Sequence, residues 1–172
     1  PLLCAEGHFC CRILVAVWEV IRYNKIWLTI GIGQVKKLEK RVSAVLVAAG
    51  SSTRMGFDKL SFDLGGETVL HRSIRAFAQC PQITELVLVA GKNREFVAQQ
   101  AADCPKPVQI VAGGATRAES AKNGVLAAHG ELVAVHDAAR PFVSSVVITA
   151  ALEAAARCGA AAPAVPVKDT IK

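Results

Sequence analysis

After position 41 the apolar residues follow two alternating patterns. Short runs at residues 44–49 (AVLVAA), 84–90 (TELVLVA), 108–111 (VQIV) and 131–136 (ELVAVH) are too short for helices and suit buried strands. The segments between them are longer and read as helices. Residues 68–80 put Val69, Ile74 and Phe77 on one face, and Pro81 stops the run. Asn93 opens a helix to residue 103, Thr116 and Glu119 stand at capping-box spacing for a helix to about residue 129, and Ser144 opens one to residue 157. Gly130 and Gly159 are expected to close the last two of these helices. Residues 60–66 (LSFDLGG) predict a short extended piece ended by a glycine turn. Residues 160–167 are a fifth strand candidate, assigned to an edge or irregular position by Pro163 and Pro166.

Strands alternating with helices predict an α/β fold, with a mainly parallel sheet covered on both faces. Ligands of such sheets sit beyond the carboxyl ends of the strands. Every chemically interesting cluster here follows a strand: residues 48–59, 113–120, 137–141 and 168–172.

The first cluster organises the rest. In VSAVLVAAGSSTRMGFDK, at residues 42–59, an apolar strand ends in Ala48, Ala49, Gly50, Ser51 and Ser52, which leave the backbone N–H groups open to a ligand. Arg54 and Lys59 then add two cations, so a nucleotide polyphosphate is the expected guest. The loop is neither a dinucleotide fingerprint, since five residues separate Gly50 from Gly56, nor a P-loop, since Phe57 follows Gly56. In the second cluster Gly113 and Gly114 precede the Thr116 helix, with Arg117 and Ser120 on successive turns; Ser120 is either a ligand for a base or ribose or a buried structural hydroxyl. In the third, Asp137 is a candidate for a hydroxyl or Mg²⁺ and Arg140 for a phosphate, the plainer reading being a structural ion pair. His136 reads as a core histidine and His71 as inert. No nucleophilic elbow or acid/base dyad stands out, which suits nucleotidyl transfer onto a phosphate that is already anionic at neutral pH.

Charge narrows the partners. The net +6 divides into +4 before position 42 and +2 after it, and no basic stripe interleaves with aromatics, so nucleic acid is set aside. The six cysteines form no C-x-x-C pair and have no histidine at metal-ligand spacing, so free thiols in a reducing cytoplasm are expected. Residues 1–41 form an atypical extension holding both tryptophans and the one tyrosine; charges at Arg12, Glu19, Arg22 and Lys25 make it a poor membrane span. The expectation is that residues 1–34 are upstream reading frame and that translation starts near Val35, leaving residues 42–172 as the domain.

Taken together, VLVAAGSSTRMGFDKL, GGATRAESAKNG, VAVHDAARPF and PVKDTIK resemble the 2-C-methyl-D-erythritol 4-phosphate cytidylyltransferases of the non-mevalonate isoprenoid pathway. The resemblance implies a Rossmann-like three-layer sandwich of the nucleotide-diphospho-sugar transferase type. It implies CTP lying across Ala48, Ala49, Gly50 and Ser52, with Gly114 and Ser120 on the cytidine side and the catalytic Arg54 and Lys59 on the phosphates. Asp137, Ala138, Arg140 and Thr170 would address the polyol phosphate, with Mg²⁺ as cofactor and Asp137 its candidate ligand. It also implies a cytoplasmic homodimer completed by a C-terminal segment beyond Lys172. Ribitol 5-phosphate cytidylyltransferase and a non-catalytic CTP-binding remnant are the alternatives.

Overall fold

The computed structural model describes residues 13–17, 40–50 and 58–164. Five parallel strands make one sheet in the order β1-β5-β2-β3-β4: β1 Ile13–Val17, β2 Val42–Val47, β3 Ile83–Ala90, β4 Val108–Ala112 and β5 Leu132–Asp137. Val45 of central β2 lies level with Val87 of β3 and Val135 of β5. Four helices intervene: α1 Val69–Ala78, α2 Arg94–Gln100, α3 Arg117–Ala127 and α4 Ser145–Cys158.

Alternation along β2 explains the layers. Ala44 and Leu46 join Leu70, Ile74, Phe77, Val97, Ile148 and Leu152 in the larger core, beneath α1, α2 and α4. Val45 faces the other way, with Val87, Val89 and Val133, beneath α3. Adjacent strand residues are therefore buried on opposite faces, which is why the strands read as unbroken apolar runs. Helix α3 approaches closely because Gly124 has no side chain: a Cβ there would lie 2.3 Å from Val45 Cγ1.

Most boundaries fall where the pattern sets them. Thr68, Thr116 and Ser144 each accept a bond from a first-turn N–H, the Thr116–Glu119 capping box is complete, and Gly159 ends α4 at φ +89°. Gly65 and Gly66 turn at φ +81° and +94°, with Gly66 N–H bonded to Asp63. Gly130 has a different task from the one expected. Helix α3 already ends at Ala128, and Gly130 lies so close to β2 that a Cβ would come 2.6 Å from the Ser43 nitrogen.

The other differences are at the sheet edge. Residues 13–17, inside the extension, add β1 along the outer side of β5, from Ile13 beside Leu132 to Val17 beside His136. The strand expected at 160–167 shows only an isolated bridge at Ala161 as far as residue 164, and its remainder lies outside the described residues. No helix among the described residues is long and apolar enough to cross a membrane.

Candidate active site

Small residues let the loops at the carboxyl ends of the strands meet. Pairing runs just past the strands: Ala48 N–H donates to Val89 O (2.8 Å), Gly113 N–H to Ala90 O (2.8 Å) and Ala138 N–H to Val47 O (3.1 Å). A Cβ on Gly113 would fall 2.4 Å from the Ala49 Cβ, and one on Gly91 would fall 3.0 Å from the Ala49 carbonyl. Ala49 is therefore wedged between the loops after β3 and β4. Asn93 stands at the capping position of α2, but its side chain makes no capping bond. It accepts from Gly91 N–H at 3.0 Å and donates to Ala48 O at 3.1 Å, tying two of the loops together. Gly50 is exposed at the rim.

Ser52 and Arg54 lie outside the described residues, as does Thr170. Lys59 is exposed beside Leu60, a buried residue whose carbonyl accepts from Leu70 N–H of α1 (3.1 Å). The lysine is thus anchored at its backbone while its side chain reaches solvent.

At the start of α3 the backbone N–H groups are already engaged. Glu119 folds back to accept from Ala115 N–H (2.7 Å) and Thr116 N–H (3.2 Å), while Ser120 Oγ accepts from Gly114 N–H (3.0 Å) and donates to Thr116 O (2.9 Å). Ser120 is 3% exposed, so its hydroxyl shapes the Gly114 loop from within. A carboxylate already occupies this helix start, so the loop suits a neutral base or sugar better than a phosphate.

The end of β5 gathers charge. Asp137 Oδ2 accepts from Arg117 Nη2 at 3.2 Å and from Arg140 Nε at 3.4 Å, and Oδ1 accepts from Ala139 N–H at 3.2 Å. His136 is buried as expected, its Nε2 3.0 Å from the Arg140 carbonyl and its ring 4.9 Å from Phe77. It braces the loop from beneath. Ser73 of α1, also buried, donates to Ala138 O at 2.8 Å. His71 pairs with Asp103 at 3.4 Å, away from these loops.

The structure therefore brings together Ala48, Ala49, Gly50, Gly114, Ser120, Asp137, Ala138 and Arg140 along one sheet edge. Sequence reasoning left Ser73, Glu119 and Arg117 without a part in it. Ser73 carried a signal, being a polar residue on the apolar face of α1. Arg117 carried none beyond its place in the second cluster.

These loops and their order along the chain correspond to one family. Residues 42–172 match the model for 2-C-methyl-D-erythritol 4-phosphate cytidylyltransferase. The chain belongs to this family. It is 47% identical over 134 residues to a bifunctional IspD/IspF enzyme of Anaeromyxobacter dehalogenans, a match covering 77% of this chain and 35% of that protein. It is 43% identical over 139 residues to the 2-C-methyl-D-erythritol 4-phosphate cytidylyltransferase of Symbiobacterium thermophilum, covering 78% of this chain and 58% of that one. Among solved structures, the cytidylyltransferase from Thermus thermophilus is similar with a TM-score of 0.58 and 37% identity, over 76% of this chain and 57% of that chain. The chain thus spans between about a third and three-fifths of the length of these relatives. Its α/β architecture is that of the family's nucleotidyltransferases.

Proposed function

We propose that the protein of which this chain is part transfers CMP from CTP to 2-C-methyl-D-erythritol 4-phosphate, releasing pyrophosphate. The observation that carries this reading is the convergence of the small-residue loop 48–50, the Gly114 loop and the Asp137–Arg140 loop on one edge of a family-typical sheet. The first loop offers backbone to the nucleotide. The Gly114 loop, with its helix start neutralised by Glu119, suits cytidine. Ala138 and Arg140, with Thr170, take the acceptor. Arg54 and Lys59 face the phosphates and stabilise charge as the acceptor phosphate displaces pyrophosphate; the acceptor is already anionic, so no base is required.

The donor set agrees with a Mg²⁺ ion that arrives on the nucleotide. Among the described residues no group of three or more acidic, histidine or cysteine side chains is arranged to hold a metal, and Asp137 is the one carboxylate at the end of β5. Asp137 would contribute a single oxygen and the phosphates the others, and the bound ion would neutralise phosphate charge. A homodimer and a cytoplasmic location complete the proposal.

Calorimetric titration with CTP, GTP and ATP in the presence of Mg²⁺ tests the reading. CTP is expected to bind preferentially. Preference for GTP, or no binding to any of the three, overturns the assignment for this chain.

A further inference from the structure

Arg117 lies on the loop proposed for cytidine, yet its guanidinium reaches the carboxylate at the end of β5, twenty positions away in sequence. Its contact differs in kind from that of Arg140. Arg140 is held by its backbone: its N–H donates to Asp137 O at 3.0 Å and its carbonyl lies 3.0 Å from His136 Nε2, and its side chain is 22% exposed. Arg117 is 48% exposed and comes to Asp137 from another element on a long, flexible stem. Of the two cations on Oδ2, Arg117 is the one that can leave.

We infer that Arg117 is a resident counterion of Asp137, which gives way to the metal–nucleotide and passes its guanidinium to the phosphates. The inference rests on the nucleotide reading above. A divalent ion on a carboxylate oxygen sits roughly 2.1 Å from it. A guanidinium nitrogen 3.2 Å from that same oxygen is then a like charge at close range. The two occupants of Oδ2 exclude each other, because Oδ1 is engaged by Ala139 N–H and Arg140 is held in place. A triphosphate offers the displaced guanidinium more negative charge and a bidentate geometry. In the nucleotide-free chain the pair keeps a bare metal ion from Asp137 and links the nucleotide loop to the acceptor loop. When nucleotide binds, the same side chain becomes a phosphate ligand.

The test compares the wild-type chain with R117Q, R117K and D137N, using Mn²⁺ as a spectroscopic substitute for Mg²⁺. Mn²⁺ alone, followed by electron paramagnetic resonance, is expected to bind R117Q several-fold more tightly than wild type. R117K, which keeps the charge, is expected to stay near wild type, and D137N to lose the site. CTP with Mg²⁺, followed by calorimetry, is expected to bind R117Q about tenfold more weakly, the loss of one charge-assisted hydrogen bond, with partial recovery in R117K. Thermal melting checks that each variant is folded. If R117Q binds Mn²⁺ no more tightly than wild type, the counterion role is overturned, whatever CTP does. If Mn²⁺ binding tightens but CTP affinity is unchanged, the transfer to phosphate is overturned. A wild-type chain that ignores CTP defeats the nucleotide reading instead, while the Mn²⁺ comparison still judges the ion pair.

Discussion

The two ends of the sheet each carry a carboxylate, and they treat it in opposite ways. At the amino end Glu85 of β3 accepts from Ser43 Oγ (2.5 Å) and from His129 N–H (2.7 Å) on one oxygen, while His129 Nδ1 lies 3.1 Å from the other. Ser43 is fully buried and also accepts from Gly130 N–H at 2.7 Å. Burial pushes Glu85 up, but the hydrogen bonds from Ser43 and His129 outweigh it and hold the carboxyl below its ordinary value. At the carboxyl end Asp137 is held by one N–H and two guanidinium groups, with Arg117 half exposed. The first carboxylate is committed to strands and a tight turn. The second is bordered by cations on long stems that a ligand can redirect. Position relative to the strands is the same kind of address in both cases; what separates scaffold from site is whether the partners can be exchanged.

Substitutions at the two ends are therefore expected to move different quantities. The largest effect belongs to the carboxyl end: Lys59→Ala should lower turnover by about a hundredfold to a thousandfold, as for other lost stabilisers of transition-state charge, while the melting temperature hardly changes. Unchanged turnover would remove Lys59 from the reaction. Next comes Ser43→Ala at the amino end, which strands the Gly130 N–H and weakens the hold on Glu85. It should cost about 2 kcal/mol in denaturant unfolding and leave CTP affinity as it was. A loss of affinity there would erase the distinction between the ends. Ser73→Ala is the intermediate case, since a buried hydroxyl supports a site loop at Ala138. About 1 kcal/mol of stability and a measurable rise in the KM for the acceptor are expected together.

The smallest effect is one of pH. Glu85 has its folded pKa lowered from 4.5, so its contribution is complete above the unfolded value and is lost as pH falls through the folded one. Melting curves taken below about pH 4.5 should fall more steeply for wild type than for Glu85→Gln. Parallel curves would show that the Ser43–His129 bonds do not favour the charged form.

Much of this division is legible along the chain. The four strand-and-helix alternations after position 41, the caps at Thr68, Thr116 and Ser144, and the grouping of Ala48, Gly114, Asp137 and Arg140 follow from local pattern and the logic of a parallel sheet. What stays hidden depends on distant pairing. Ser43 and Glu85 look like ordinary polar residues at strand positions until β2 and β3 align. Gly130 has the sequence appearance of a helix terminator and the structural task of leaving room for Ser43. Asn93 has a capping residue's position, but the nearby loops compete for its amide and win. Strand β1 is hidden for another reason: its run ILVAV sits within a longer apolar stretch whose boundaries no turn residue marks. Arg54 and Thr170, expected at the site, fall outside the described residues, so the roles given to them rest on the family motif.

The pairing of Ile13 with Leu132 also has a consequence for biosynthesis. A ribosome adds on the order of 5–20 residues per second, so β1 emerges several seconds before the strand it needs. Throughout that interval a short apolar segment waits with no neighbour, while β2, β3 and β4 follow with helices between them. Closing the sheet on that side is a late event, and a holdase chaperone that recognises extended apolar peptide has its natural substrate in residues 13–17 of the nascent chain.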